Sequence, residues 1–112
     1  MEASSGEEGV LLARKKNPDI VVIDFSLGGI NGLEAARQIK EYLPRCSIIM
    51  LTIYDSKEIL RRDGHGTIRF LINKGDLYEK LVPAIKKILS NSNIDKKTTI
   101  NRVSKRISKI KI

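Results

Sequence analysis

The chain has 112 residues, and 21 Lys plus Arg against 13 Asp plus Glu give it a formal net charge of +8. That length suits one domain and excludes a second full one. A single cysteine, Cys46, excludes an intramolecular disulfide framework. No run approaches the roughly 20 apolar residues of a membrane span, and the start carries Glu2, Glu7 and Glu8 without the apolar core of a secretion signal, so a cytoplasmic setting is expected.

Ser5 stands three residues before Glu8 in a capping-box arrangement and predicts a helix over about 7–16, with Val10, Leu11 and Ala13 inward, stopped by Asn17 and Pro18. Ile20, Val21, Val22 and Ile23 form a β-branched run that ends at Asp24, the pattern of a strand covered on both faces in a parallel sheet. The segment 26–32 reads as a glycine-rich loop, with Gly28, Gly29 and Gly32 allowing a tight turn. Asn31 and Glu34 form a second capping pair, which opens a helix with Leu33, Ala36, Ile39 and Leu43 on one face; Pro44 ends it.

Ile48 to Leu51 repeats the buried-strand pattern and ends at Thr52. A weaker helix is expected over 56–62, broken by Gly64 and Gly66. A third strand over 68–72 leads to Lys74. Asp76 with Glu79 caps a last helix with apolar positions Leu77, Leu81, Ile85, Ile88 and Leu89. Pro83 falls inside that pattern and should kink the helix or delay its start. Residues 93–112 hold seven Lys or Arg against Asp95 alone. This basic tail, 91–112, is expected to be disordered or a short amphipathic helix built on Ile100, Val103, Ile107 and Ile110. It lacks aromatic residues for base stacking, so DNA binding within this chain is not expected.

Strands alternating with helices at this spacing define an α/β architecture with an open parallel sheet. Each of the three apolar runs ends in one polar side chain: Asp24, Thr52, Lys74. In such a sheet ligands bind at the carboxyl edge of the strands, where this trio would surround one phosphoryl group. The carboxylate is a nucleophile for it, the ammonium offsets its charge, and the hydroxyl donates a hydrogen bond. His65 between glycines reads as an exposed turn residue, and Cys46 as a half-buried apolar filler.

The segment from Pro18 through Asp24 to Asn31-Gly32, the strand end Ile49-Met-Leu-Thr52, and Phe70-Leu-Ile-Asn-Lys74-Gly-Asp76 together resemble the receiver domain of two-component response regulators, closest to transcription-regulator receivers. The resemblance covers about residues 2–90. It implies a flavodoxin-like fold with strand order 2-1-3-4-5, in which Asp24 is the phosphoacceptor, Lys74 the phosphate-binding lysine and Thr52 the switch hydroxyl. Ser26 and Tyr54 would line the site, and Phe70 is a displaced candidate for the family's aromatic switch. The partner implied is a sensor histidine kinase or a phosphotransfer protein, and no enzymatic turnover is implied.

In that family the first strand ends beside an acidic pair that holds Mg²⁺. Residues matching strand one, helix one and that pair are not found here, so the resemblance implies an incomplete sheet, poor phosphorylation, and Asp24 as the sole carboxylate for any partial Mg site. The strand at 20–23 would then be an open apolar edge that favours a homodimer; the face made by the family's helix four, strand five and helix five is the other dimer candidate. A phosphorylation-independent interaction module with the same fold is the alternative reading.

Overall fold

The computed structural model describes residues 2–3, 5–24, 32–53, 56–64, 66–90 and 107–111. Five strands, β1 (Glu2–Ala3), β2 (Ile20–Asp24), β3 (Ser47–Thr52), β4 (Phe70–Asn73) and β5 (Ile107–Lys111), form one sheet in the order β1-β5-β2-β3-β4. Every neighbouring pair is parallel. The β-branched runs occupy the interior of this sheet for the expected reason: Ile20, Val21, Ile23, Ile48, Ile49 and Met50 are fully buried, and only a strand covered on both faces can use such residues consecutively.

Two apolar layers flank the sheet. On one face Val21, Ile23, Ile48 and Met50 pack with helices α1 (Gly6–Lys16), α2 (Gly32–Tyr42) and α3 (Ser56–Arg62) through Val10, Ala13, Leu33, Ala36, Ile39 and Ile59. On the other, Ile20, Val22, Ile49, Leu51 and Ile72 meet Ala84 and Ile88 of helix α4 (Leu77–Ser90). The chain therefore steps from β2 to β3 to β4 with its helices on one face, then returns to β5 with α4 on the opposite face. Reversing both direction and face keeps the crossovers to one hand, as parallel connections require.

The local signals act as expected at most boundaries. The Ser5 hydroxyl accepts from the Glu8 amide at 3.1 Å, and Asn17 closes α1 in the left-handed region at φ 52°, its N–H bonded to Ala13. The Asn31 cap and Gly28 and Gly29 lie outside the described residues. At the end of α2, Lys40 Nζ donates to the carbonyls of Pro44 and Cys46, each at 2.8 Å, which ties the helix to the start of β3.

Four expectations require correction. Leu11 is 63% exposed, because the inward stripe of α1 runs through Gly6, Gly9, Val10 and Ala13 and leaves Leu11 outside it. Helix α4 runs from Leu77 to Ser90 through Pro83, so the late start does not occur. Pro83 and Glu79, whose carbonyl loses its partner, both lie on the exposed side, where water satisfies it. The third strand starts at Phe70 and not at residue 68. The largest difference concerns the tail: residues 107–111 are neither disordered nor helical but form β5. They pair in parallel with β2 from Ile20↔Ile107 to Asp24↔Lys111, so the edge of β2 is not open. The backbone groups of a central apolar strand need a partner on both sides, and this segment supplies the second one.

Candidate functional site at the carboxyl rim of the sheet

The parallel register brings the ends of three adjacent strands to one rim. Asp24 lies opposite Leu51, Thr52 lies opposite Asn73, and Lys74 follows directly. Lys74 opens a short 3-10 turn, Lys74–Asp76, capped by the Asn73 side chain, which accepts from the Gly75 amide at 2.9 Å. That turn carries the lysine across the end of β3, and its ammonium reaches Asp24: Lys74 Nζ lies 2.5 Å from Asp24 Oδ1. The carboxylate is mostly covered, with its side chain 18% exposed, so the ion pair is shielded more than a surface pair.

Thr52 shares this rim and is fully buried. Alternation places it with Ile48 and Met50 on the α1, α2 and α3 face, whereas Asp24 follows Ile20 and Val22 on the α4 face. The structure thus joins Asp24 and Lys74 in contact, while Thr52 ends the neighbouring strand at the same rim with its side chain toward the other face of the sheet. Phe70 packs on the α4 face and Leu71 on the other, with an unbroken β3–β4 register. No bulge redirects Phe70, so it does not share a face with Thr52. Ser26, Tyr54 and His65 lie outside the described residues.

The donor set among the described residues does not fit a divalent ion. Among the described residues no group of three His, Cys, Asp or Glu could hold one. The strand bordering Asp24 has the sequence Ile-Ser-Lys-Ile-Lys, with no carboxylate, and its register partner for Asp24 is Lys111. Among the described residues, what stands at this rim is the Asp24 carboxylate, already ion-paired with an ammonium. A magnesium ion binds through carboxylates, waters and phosphate oxygens, and an ammonium in contact with the one available carboxylate opposes it.

Two residues gain importance from the coordinates. Cys46 is 3% exposed, and burial pushes its thiol up to about 11, an effect only partly offset by the nearby Lys40 charge; it is a full core residue and not a half-buried filler. Asp63, which the sequence did not single out, is 5% exposed and accepts from the amides of Thr67 at 3.0 Å and Ile68 at 2.9 Å. It organises the turn from α3 into β4 and so helps set the register that delivers Lys74. Its sequence signal was an Asp followed by Gly64 and Gly66, the composition of a side-chain-stabilised turn.

An open parallel sheet, helices on both faces and a carboxylate–ammonium pair at its carboxyl edge define an α/β domain of the doubly wound class. Residues 1–86 match the family model described as the response regulator receiver domain, and the chain belongs to that family. It is 33% identical over 86 residues to the uncharacterized transcriptional regulatory protein YxjL of Bacillus subtilis, covering 76% of this chain and 39% of that one. It is 34% identical over 89 residues to the response regulator UvrY of Escherichia coli, covering 80% and 41%. The chain thus spans about two-fifths of the length of these curated relatives.

Among solved structures, a LuxR-family two-component response regulator from Aurantimonas superposes with a TM-score of 0.72 at 25% identity, covering 91% of this chain and 73% of that one. The response regulator domain of Thermotoga maritima CheB gives a TM-score of 0.64 at 22% identity, covering 81% and 73%, which is a likeness of fold. No helix among the described residues is long and apolar enough to cross a membrane.

Proposed function

We propose that this chain serves as the receiver of a two-component phosphorelay in which Asp24 holds the phosphoacceptor position but accepts a phosphoryl group poorly. The partner is a sensor histidine kinase or a phosphotransfer protein. In the transfer an Asp24 oxygen would form the new bond to phosphorus while the bond from phosphorus to the donor atom breaks, the electron pair leaving with the donor. Lys74 would leave its contact with Asp24 to meet the phosphate oxygens, and the Thr52 hydroxyl would donate to one of them. The chain is the acceptor in this exchange, not a turnover catalyst.

The observation that carries the reading is the contact between Lys74 and Asp24 at the rim where β2, β3 and β4 end together. The same contact explains the expected inefficiency. The Lys74 ammonium must both neutralise the carboxylate and compensate the incoming phosphoryl oxygens, and among the described residues no group of three His, Cys, Asp or Glu offers a seat for a divalent ion to share that task. Incubation with acetyl phosphate and Mg²⁺ followed by intact-mass measurement tests this: at most a small fraction should gain a phosphoryl group, and stoichiometric addition would overturn the proposed inefficiency.

A second reading is favoured by the ion pair being complete without phosphate: a protein-interaction module that works without phosphorylation. Tyr78 and Val82, one turn apart on α4 and both exposed, give it a small apolar contact strip on that helix. Asp24→Asn separates the two readings. Loss of signalling supports the phosphorelay, and unchanged partner binding supports the module.

A further inference from the structure

We propose that the strand Ile107–Lys111 is exchangeable between two copies of this chain, each donating it to the slot between β1 and β2 of the other. The first observation is its position. Although it is last in sequence, β5 sits inside the sheet, hydrogen-bonded to β1 on one side and to β2 on the other. A strand held by a parallel backbone ladder makes the same bonds whichever chain supplies it, so the slot recognises a segment and not a connection.

The second observation is a mismatch in quality. On the β2 side the register sets Ile107, Ser108, Lys109 and Ile110 against Ile20, Val21, Val22 and Ile23, all four of them buried. An interior parallel strand is ordinarily an unbroken apolar run, as β2 and β3 are. Here two of the five residues are apolar, two are lysine and one is serine. Strand β5 is therefore a less favourable interior strand than β2 or β3, yet its departure would expose the edge of the apolar strand β2, which demands a replacement.

The third observation is the connection. Residues 91–106 separate α4 from β5, sixteen residues with five Lys or Arg and one Asp. At about 3.3–3.6 Å per residue, sixteen residues span at most about 55 Å, a contour long enough to let the strand reach a slot on a neighbouring molecule. A sixteen-residue connection gives an effective intramolecular concentration on the order of millimolar, so exchange should be minor at micromolar protein and substantial near that concentration. This is a reciprocal exchange through an occupied slot, distinct from pairing of two bare edges.

The register supplies the test in the full-length chain. Ala3 and Ile110 are Cα partners across β1 and β5. Neighbouring strands lie about 4.8 Å apart, within the span a disulfide bridges. Two separately tagged single variants, Ala3→Cys and Ile110→Cys, are mixed, unfolded in urea, refolded together at concentrations from about 10 µM to about 1 mM and oxidised.

A mixed disulfide between the two tags, rising roughly tenfold for each tenfold rise in concentration at the low end, is the expected result. The Glu2→Cys and Lys109→Cys pair, partners in the same register, should behave alike if the first pair perturbs folding. The double variant Ala3→Cys/Ile110→Cys should close within one chain at 10 µM, which verifies that β5 docks. Closure within the chain with no mixed disulfide at any concentration overturns the exchange. Failure of both register pairs to link in any form overturns the slot itself.

Discussion

Lys74 Nζ meets Asp24 Oδ1 at 2.5 Å across the end of β3, linking residues fifty positions apart in the chain and two strands apart in the sheet. Because the Asp24 side chain is largely covered while Lys74 is about one-third exposed, removing the lysine leaves a carboxylate with reduced access to water. Lys74→Ala should therefore destabilise the domain by about 1 kcal/mol. Adding Asp24→Asn to it should recover most of that loss. Urea unfolding of the four members of the double-mutant cycle measures the coupling, and a coupling near zero would show that the pair contributes nothing to stability.

Asp63 presents a separate prediction on the route to the site. Its two carboxylate oxygens each accept one backbone amide, from Thr67 and Ile68, in a setting nearly closed to solvent. Asp63→Ala leaves both amides without their partner and should cost about 2–3 kcal/mol. Asp63→Asn keeps one acceptor oxygen and should fall between the variant and the parent. Denaturation midpoints order the three proteins, and amide exchange at Thr67 and Ile68 should accelerate most in the alanine variant.

The sheet interior and the polar residue at each strand end were legible in sequence because both rest on patterns within a few residues. Ile20 to Asp24 and Ile48 to Thr52 are unbroken apolar runs, each closed by one polar group, and they form adjacent parallel strands. The Ser5 and Glu8 cap was readable for the same local reason. The role of residues 107–111 was not, because Ile-Ser-Lys-Ile-Lys has no strand periodicity of its own and is also compatible with a basic helix face. Its pairing depends on the unfilled edge of β2, some eighty residues earlier. Phe70 shows the opposite case: strand alternation predicted the wrong face for a switch residue, and the coordinates place it there.

Cys46 ties stability to alkaline pH. Burial holds its thiol up to about 11 in the folded chain, against an ordinary value of 9.0. Between those limits the native state binds more protons than the unfolded chain, so stability falls as pH rises. The contribution is complete below pH 9 and is lost as pH approaches 11, with a magnitude of about 2 kcal/mol. Cys46→Ala should flatten this part of the pH profile while lowering stability at pH 7 by a smaller amount, through loss of packing. In the parent at pH 8, reaction with a disulfide reagent should wait for unfolding, since the buried thiol carries almost no thiolate.

Asn17 ends α1 with φ at 52° and its N–H bonded to the Ala13 carbonyl at 2.8 Å, immediately before Pro18 and the apolar strand β2. A residue with a bare Cβ branch cannot hold that left-handed geometry cheaply, whereas glycine meets no such penalty. Asn17→Val should cost about 1–2 kcal/mol, and Asn17→Gly should be neutral or stabilising by a few tenths. Because Asn17 lies remote from the rim at the opposite end of β2, neither variant should alter the environment of Asp24. Thermal unfolding should therefore separate the two substitutions while the side-chain NMR signals of Asp24 and Lys74 stay unchanged; movement of those signals would show that the α1 terminus is coupled to the site through β2.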